Sequence, residues 1–132
     1  MGPLVRARWA VPRSVAAALA ANGTPIPTPI EGFLLLDTGA GHTAIAEHVA
    51  LSLGLQATGS CTSFGAHGQQ ESLRYMAELA IFTPPEGALT SEAQVMGIPK
   101  MKESFEKFGT RDQYGKKIDV IGLLGRAKVT TA

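Results

Sequence analysis

The chain has 132 residues, 45% apolar and 17% charged, which fits one domain with a packed core and excludes global disorder. A formal net charge of +1, with scattered Lys and Arg and no basic stripe interleaved with aromatics, argues against nucleic acid as the main partner. No apolar run approaches the length of a membrane span, and the single Cys61 forbids an internal disulfide or a cysteine-based zinc site.

Gly 15 and Pro 8 are plentiful for this length and favour strands and turns over long helices. Leu4-Val5-Arg6-Ala7-Arg8-Trp9-Ala10-Val11 alternates with Arg6 and Arg8 on one face and predicts a half-exposed strand. Pro12 ends it. Ser14 is placed to N-cap a short helix through Ala21, which Asn22-Gly23 stops. Arg6, Arg8 and Arg13 before an alanine-rich stretch weakly imitate a signal peptide. That stretch reads instead as a surface helix, so a cytoplasmic location is expected, with secretion the lesser alternative. Thr24-Pro25-Ile26-Pro27-Thr28-Pro29 must be extended, because three prolines fix φ and remove donors.

Phe33-Leu34-Leu35-Leu36 then reads as a buried strand that runs straight into Asp37-Thr38-Gly39-Ala40. Such a run delivers one carboxylate from the core to the floor of a cleft. The same residues also suit an Asx or ST turn, so this stretch alone decides nothing. After a turn at Gly41-His42, the spacing of Ala46, Val49, Ala50 and Leu53 predicts a short helix terminated by Gly54. Residues 55–64 read as a strand, Gly65-Ala66-His67-Gly68 as a turn, and 72–82 as an alternating strand. Residues 55–82 are thus a long hairpin with a glycine-rich tip. Thr83-Pro84-Pro85-Glu86-Gly87 is a loop, 93–98 a strand, 101–108 a helical turn or two, and 110–117 an exposed polar segment. Ile118-Asp119-Val120-Ile121-Gly122-Leu123-Leu124-Gly125-Arg126 is the second conspicuous apolar run.

An apolar strand into Asp37-Thr38-Gly39-Ala40, a Gly-tipped hairpin, and a late Leu123-Leu124-Gly125-Arg126 occur in that order. This order resembles the retropepsin-like aspartic proteases, the single-domain relatives of retroviral proteases, and the layout looks most like the bacterial type. The resemblance covers most of the chain, though its motifs occupy only about a dozen positions. It implies a mostly β, single-domain acid-protease β-barrel over 1–132, with one or two short helices, forming half of a symmetric dimer. Within it, 33–43 would be the active-site strand and loop, 55–82 the flap hairpin, and 118–126 the second apolar-Gly-Arg motif.

The implied activity is that of an aspartic endopeptidase acting on extended peptide segments, with no cofactor and no metal. Two carboxylates in one site cannot both ionise, so one takes a proton from water and the other polarises the carbonyl. One Asp-Thr-Gly per chain then requires a homodimer with Asp37 from each subunit at the twofold axis. By the same resemblance, Thr38 would lock the two loops together and Gly39 would meet substrate main chain. Gly65, Ala66, His67 and Gly68 would form the flap tip. Ala40 would be among the residues supporting the Asp loop, Leu123, Leu124 and Gly125 would pass behind it, and Arg126 would brace it.

The chain departs from the family in two places. Many retroviral members carry an acid soon after Asp-Thr-Gly-Ala, where Gly41 and His42 stand here, so Arg126 needs another partner. Gly-Arg usually continues as Asp/Asn-x-Leu, and here Ala127-Lys128-Val129 follows. These departures keep open an alternative, a catalytically inactive peptide-binding or interaction module on the same fold. Asp37-Thr38-Gly39-Ala40-Gly41-His42-Thr43 also looks like the first phosphate loop of actin-like ATPases, but none of that fold's further motifs is present. The three histidines show no zinc-ligand spacing. His42 and His48 are expected to face solvent, Trp9 to lie in the core or a dimer contact, and Arg74 and Glu78 to lie on a solvated strand face.

Overall fold

The computed structural model describes residues 4–36, 42–65, 68–98 and 120–125. Asp37, Thr38, Gly39, Ala40, Ala66, His67 and Arg126, with the helical turn expected at 101–108 and the polar segment 110–117, lie outside the described residues. In chain order the elements are β1 (Leu4–Ala10), α1 (Arg13–Ala21), β2 (Ile30–Leu36), β3 (Ala44–Ala46) and α2 (Glu47–Ser52). They continue as β4 (Ala57–Gly65), β5 (Gly68–Thr83), β6 (Gly87–Ile98) and β7 (Val120–Leu124).

The strands lie in the order β1-β2-β7-β3-β6-β5-β4, and β1 also pairs with β5. Six strands therefore close into a barrel, and β4 hangs outside it on β5. A mostly β barrel with two short helices is the result. Closure removes the free edges of those six strands. The inner residues explain why the barrel forms. Ala7 and Trp9 of β1, Leu34 of β2, Ile45 of β3, Tyr75, Ala77 and Leu79 of β5, Ala93 and Val95 of β6, and Ile121 of β7 form one buried cluster. Alternate residues of a strand share a face, so the period-two pattern of β1 and β5 turns one side inward. Trp9 is fully buried in the core, and its indole N–H donates to the Ile121 carbonyl at 3.1 Å.

The helices cover rather than fill the barrel. α1 buries no residue fully. It begins at Arg13 with Pro12 as N-cap, two residues earlier than a Ser14 cap implies, and no side chain of its own caps it. The Ser14 cap is therefore corrected. The Glu92 carboxylate of β6 accepts from the Arg13 main-chain N–H at 2.9 Å, a long-range cap that local sequence cannot reveal. The Arg13 side chain also pairs with Glu78 at 3.3 Å. Glu78, expected on a solvated face, keeps only 12% of its side chain exposed under this pair. At the other end Asn22 caps α1 and Gly23 takes φ +68°, as a helix stop requires. Val49, Ala50 and Leu53 are buried along α2, which Gly54 ends at φ +68°. Ala46, expected on that helix face, instead ends the short strand β3. Among the described residues no helix is long and apolar enough to cross a membrane.

Candidate functional site

The predicted site is built around β7. β2 pairs with it in parallel, with Leu35 opposite Leu123 and Leu36 opposite Leu124. β3 pairs with its other side in antiparallel fashion, with Ala44 opposite Leu123 and Ile45 opposite Gly122. The strand that enters residues 37–41 and the strand that leaves them thus stand on opposite sides of β7. Two apolar strands flanking a third keep both ends of the segment in register with Leu124 and Gly125.

Thr43 fixes the return. It is 1% exposed, and its hydroxyl oxygen accepts from the Gly125 N–H at 3.3 Å. Its carbonyl accepts from the Met96 N–H at 3.3 Å, tying the same residue to β6. A buried hydroxyl without a partner is costly, so this bond also specifies where β7 ends. Gly125 lies so close to the His42 main chain that a Cβ there would collide with the His42 carbonyl group. Gly122 is equally confined, since a Cβ would meet the Ala44 carbonyl oxygen at 2.5 Å, a Leu34 methyl at 2.8 Å and the Trp9 ring nitrogen at 3.2 Å. The glycines of this run are needed for close backbone approach. Thr43 was missed as a site residue by sequence reasoning, which placed a turn at Gly41-His42 and gave Thr43 no role there. Its one signal was a hydroxyl directly before the small apolar Ala44-Ile45-Ala46.

The hairpin predicted at 55–82 is present as β4 and β5, joined in the register Gly65 opposite Gly68. β5 pairs with β6 only from Arg74 to Thr83. Residues 68–73 therefore leave the barrel with β4 as their only sheet neighbour among the described residues. One edge of β5 is shared, by β1 at 78–81 and by β4 at 68–75. A continuous transverse row of register partners joins the arm to the seam: Gly59, Arg74, Met96, Ala44, Leu123, Leu35 and Leu4. The root of the hairpin and the last residues before position 37 thus share one row of the sheet.

His42 and His48 are both exposed. Among the described residues no group of three His, Cys, Asp or Glu side chains is placed to hold a metal ion. A groove of about 820 Å³ lies between Leu4, Val5 and Arg6 and the β5–β6 turn at 82–88. It opens where β1 splays from β5, because their pairing stops at Ala7 and Ile81. Arg6 stacks over the Phe82 ring there, 5.4 Å from its centre. Of the predicted site residues that are described, Gly65, Gly68, Leu124 and Gly125, none lines this groove. No protein-family model matches the chain, and no curated protein matches it.

Proposed function

We propose that the chain is a retropepsin-like aspartic endopeptidase, hydrolysing peptide bonds in extended polypeptide segments with a water activated between two Asp37 carboxylates across a homodimer. The observation that carries this reading is the insertion of β7 between β2 and β3, with Gly125 backed onto the His42 main chain. A carboxylate on a loop works in catalysis only if the loop is held to within a fraction of an ångström. Here the two ends of the Asp37 segment are tied to one central strand, by register on one side and by the Thr43 hydroxyl on the other. The closed barrel behind it supplies rigidity, and the β4–β5 arm supplies a hairpin of the kind that covers substrate in this family.

In this mechanism one Asp37 is ionised and accepts a proton from the attacking water. The other is protonated and donates to the substrate carbonyl oxygen as the tetrahedral intermediate forms. Collapse of the intermediate returns a proton to the leaving amine and breaks the C–N bond. Because the pair shares one proton, activity depends on two apparent pKa values of the dyad rather than on either carboxyl alone.

The test combines turnover with assembly. The purified chain is expected to cleave an unstructured polypeptide at mildly acidic pH and to sediment as a dimer at the concentrations that cleave. Asp37→Asn is expected to reduce cleavage to background while leaving the sedimentation profile unchanged. Cleavage that survives the substitution, or that comes from a strict monomer, would eliminate this mechanism. Peptide binding without turnover at every pH would identify the inactive module instead.

A further inference from the structure

The outer edge of β4 carries none of the side chains that usually guard a sheet edge. Ala57-Thr58-Gly59-Ser60-Cys61-Thr62-Ser63-Phe64-Gly65 contains no charge and no proline. Natural edges avoid unwanted pairing with Lys, Pro, inward charges or bulges. β4 has one such device, a register shift between Ala57 and Gly59, and it is regular from there to Gly65. Among the described residues only β5 pairs with it, so its far side presents unpaired main-chain donors and acceptors.

One cation lies across this edge. Arg74 of β5 is opposite Gly59. Its Nη2 reaches within 2.5 Å of where a Cβ of residue 59 would stand, and its Nε and Cζ within 3.3 Å. The missing side chain at Gly59 is what lets the guanidinium lie over the β4 backbone. Arg74 Nε is buried and has no hydrogen-bond partner, and the one ion pair among the described residues, Arg13 with Glu78, does not include Arg74. A guanidinium already held over the Gly59 backbone is a preorganised positive charge for a carboxylate on a strand added beside it. Directly opposed residues of adjacent strands point to the same face, so the residue added opposite Gly59 would place its side chain beside that guanidinium.

We infer that the free edge of β4 accepts an extended peptide strand by main-chain pairing, and that Arg74 selects an Asp or Glu side chain at the position opposite Gly59. Four strand steps, Gly59 to Arg74 to Met96 to Ala44 to Leu123, lie between this site and β7. At about 4.8 Å per step that is roughly 19 Å around the sheet. The inference stands on the β4–β5 geometry alone and does not require the chain to be a protease.

The experiment uses the full chain carrying Asp37→Asn, so that no probe is consumed. The probe is a fluorescent nine-residue peptide of Ser, Thr and Val with one central Glu, followed by anisotropy. It is compared with the same peptide bearing central Gln, and with the Glu peptide methylated at alternate backbone nitrogens. The Glu peptide should bind about 3- to 5-fold more tightly than the Gln peptide at low salt, the range for a partly exposed ion pair. Arg74→Gln should erase that difference, and methylation should abolish binding. Equal affinity of the Glu and Gln peptides for the starting protein overturns the inference. So does a preference that survives Arg74→Gln, or undiminished binding of the methylated peptide. If Arg74→Gln does not fold, the Glu–Gln and methylation comparisons decide the matter on the folded protein alone.

Discussion

At the seam β7 has a strand on each side, glycines pressed against neighbouring backbone, and a buried indole donating across to it. In the arm, residues 68–73 have β4 as their only sheet neighbour among the described residues, and Leu73 is 45% exposed. The same transverse row, from Gly59 to Leu4, crosses both regions. The seam tolerates almost no added atom, whereas the arm has space beside nearly every one of its described side chains. Stability and precise positioning belong together at the seam, and the arm is free to serve as a surface for other chains. Substitutions in the two regions should therefore differ by several-fold in cost.

The largest effect is expected at Leu34, which is fully buried and packs against Gly122. Leu34→Ala should cost about 2–5 kcal/mol in urea unfolding, by lost burial and a cavity. Gly122→Ala should cost about 1–3 kcal/mol by overpacking, since its new methyl meets the Ala44 carbonyl oxygen. The double variant should cost less than the sum, because removing the Leu34 methyl relieves part of the clash. A strictly additive result would mean that the Ala44 contact alone sets the cost. Trp9→Phe should cost about 1–3 kcal/mol, since it leaves the Ile121 carbonyl without its donor. On the arm, Leu73→Ser should change stability by no more than about 0.5 kcal/mol. A cost there comparable to that of Gly122→Ala would remove the distinction between the two regions.

Much of the barrel was legible in the chain, for physical reasons that can be named. β1 and β5 alternate because one face is core, and β7 is apolar because its first three residues are buried, whereas β2, expected to be buried, buries only Leu34 fully and leaves Leu36 exposed. Hidden features depended on contacts distant in sequence. β3 is three residues long, and the spacing of Ala46 to Val49 and Ala50 imitates a helix face equally well. The first half of β6 is polar and exposed, and pairing with β5 through Thr83 opposite Gly87 makes it a strand. The Glu92 cap on α1 joins residues 79 apart. At the candidate site the apolar-Asp-Thr-Gly and Leu-Gly motifs are conspicuous, but Thr43 is not, because its role exists only once Gly125 is beside it.

The one pH-dependent effect is expected where the two regions meet. Tyr75 sits at the root of the arm, opposite Ala57 on one side and Val95 on the other, and is 2% exposed. Its ring lies over Gly97, where a Cβ would come within 2.7 Å of a ring carbon. Burial, with a smaller contribution from the Glu47 carboxylate, raises its phenol above the ordinary value of 10.0. A raised pKa means that the folded protein holds this proton more tightly than the unfolded chain does. Both states keep the proton below about pH 10, so the phenol then adds no pH dependence. Above that the unfolded chain releases its proton first, and stability falls as pH rises until the folded phenol also titrates. Tyr75→Phe should remove this part of the alkaline loss. The stability difference between the two proteins should stay flat up to about pH 9 and then shift towards the variant by at most about 1.4 kcal/mol per pH unit. A difference that stays flat through pH 11 would mean that the phenol reaches solvent, and that the root of the arm is as open as its far half.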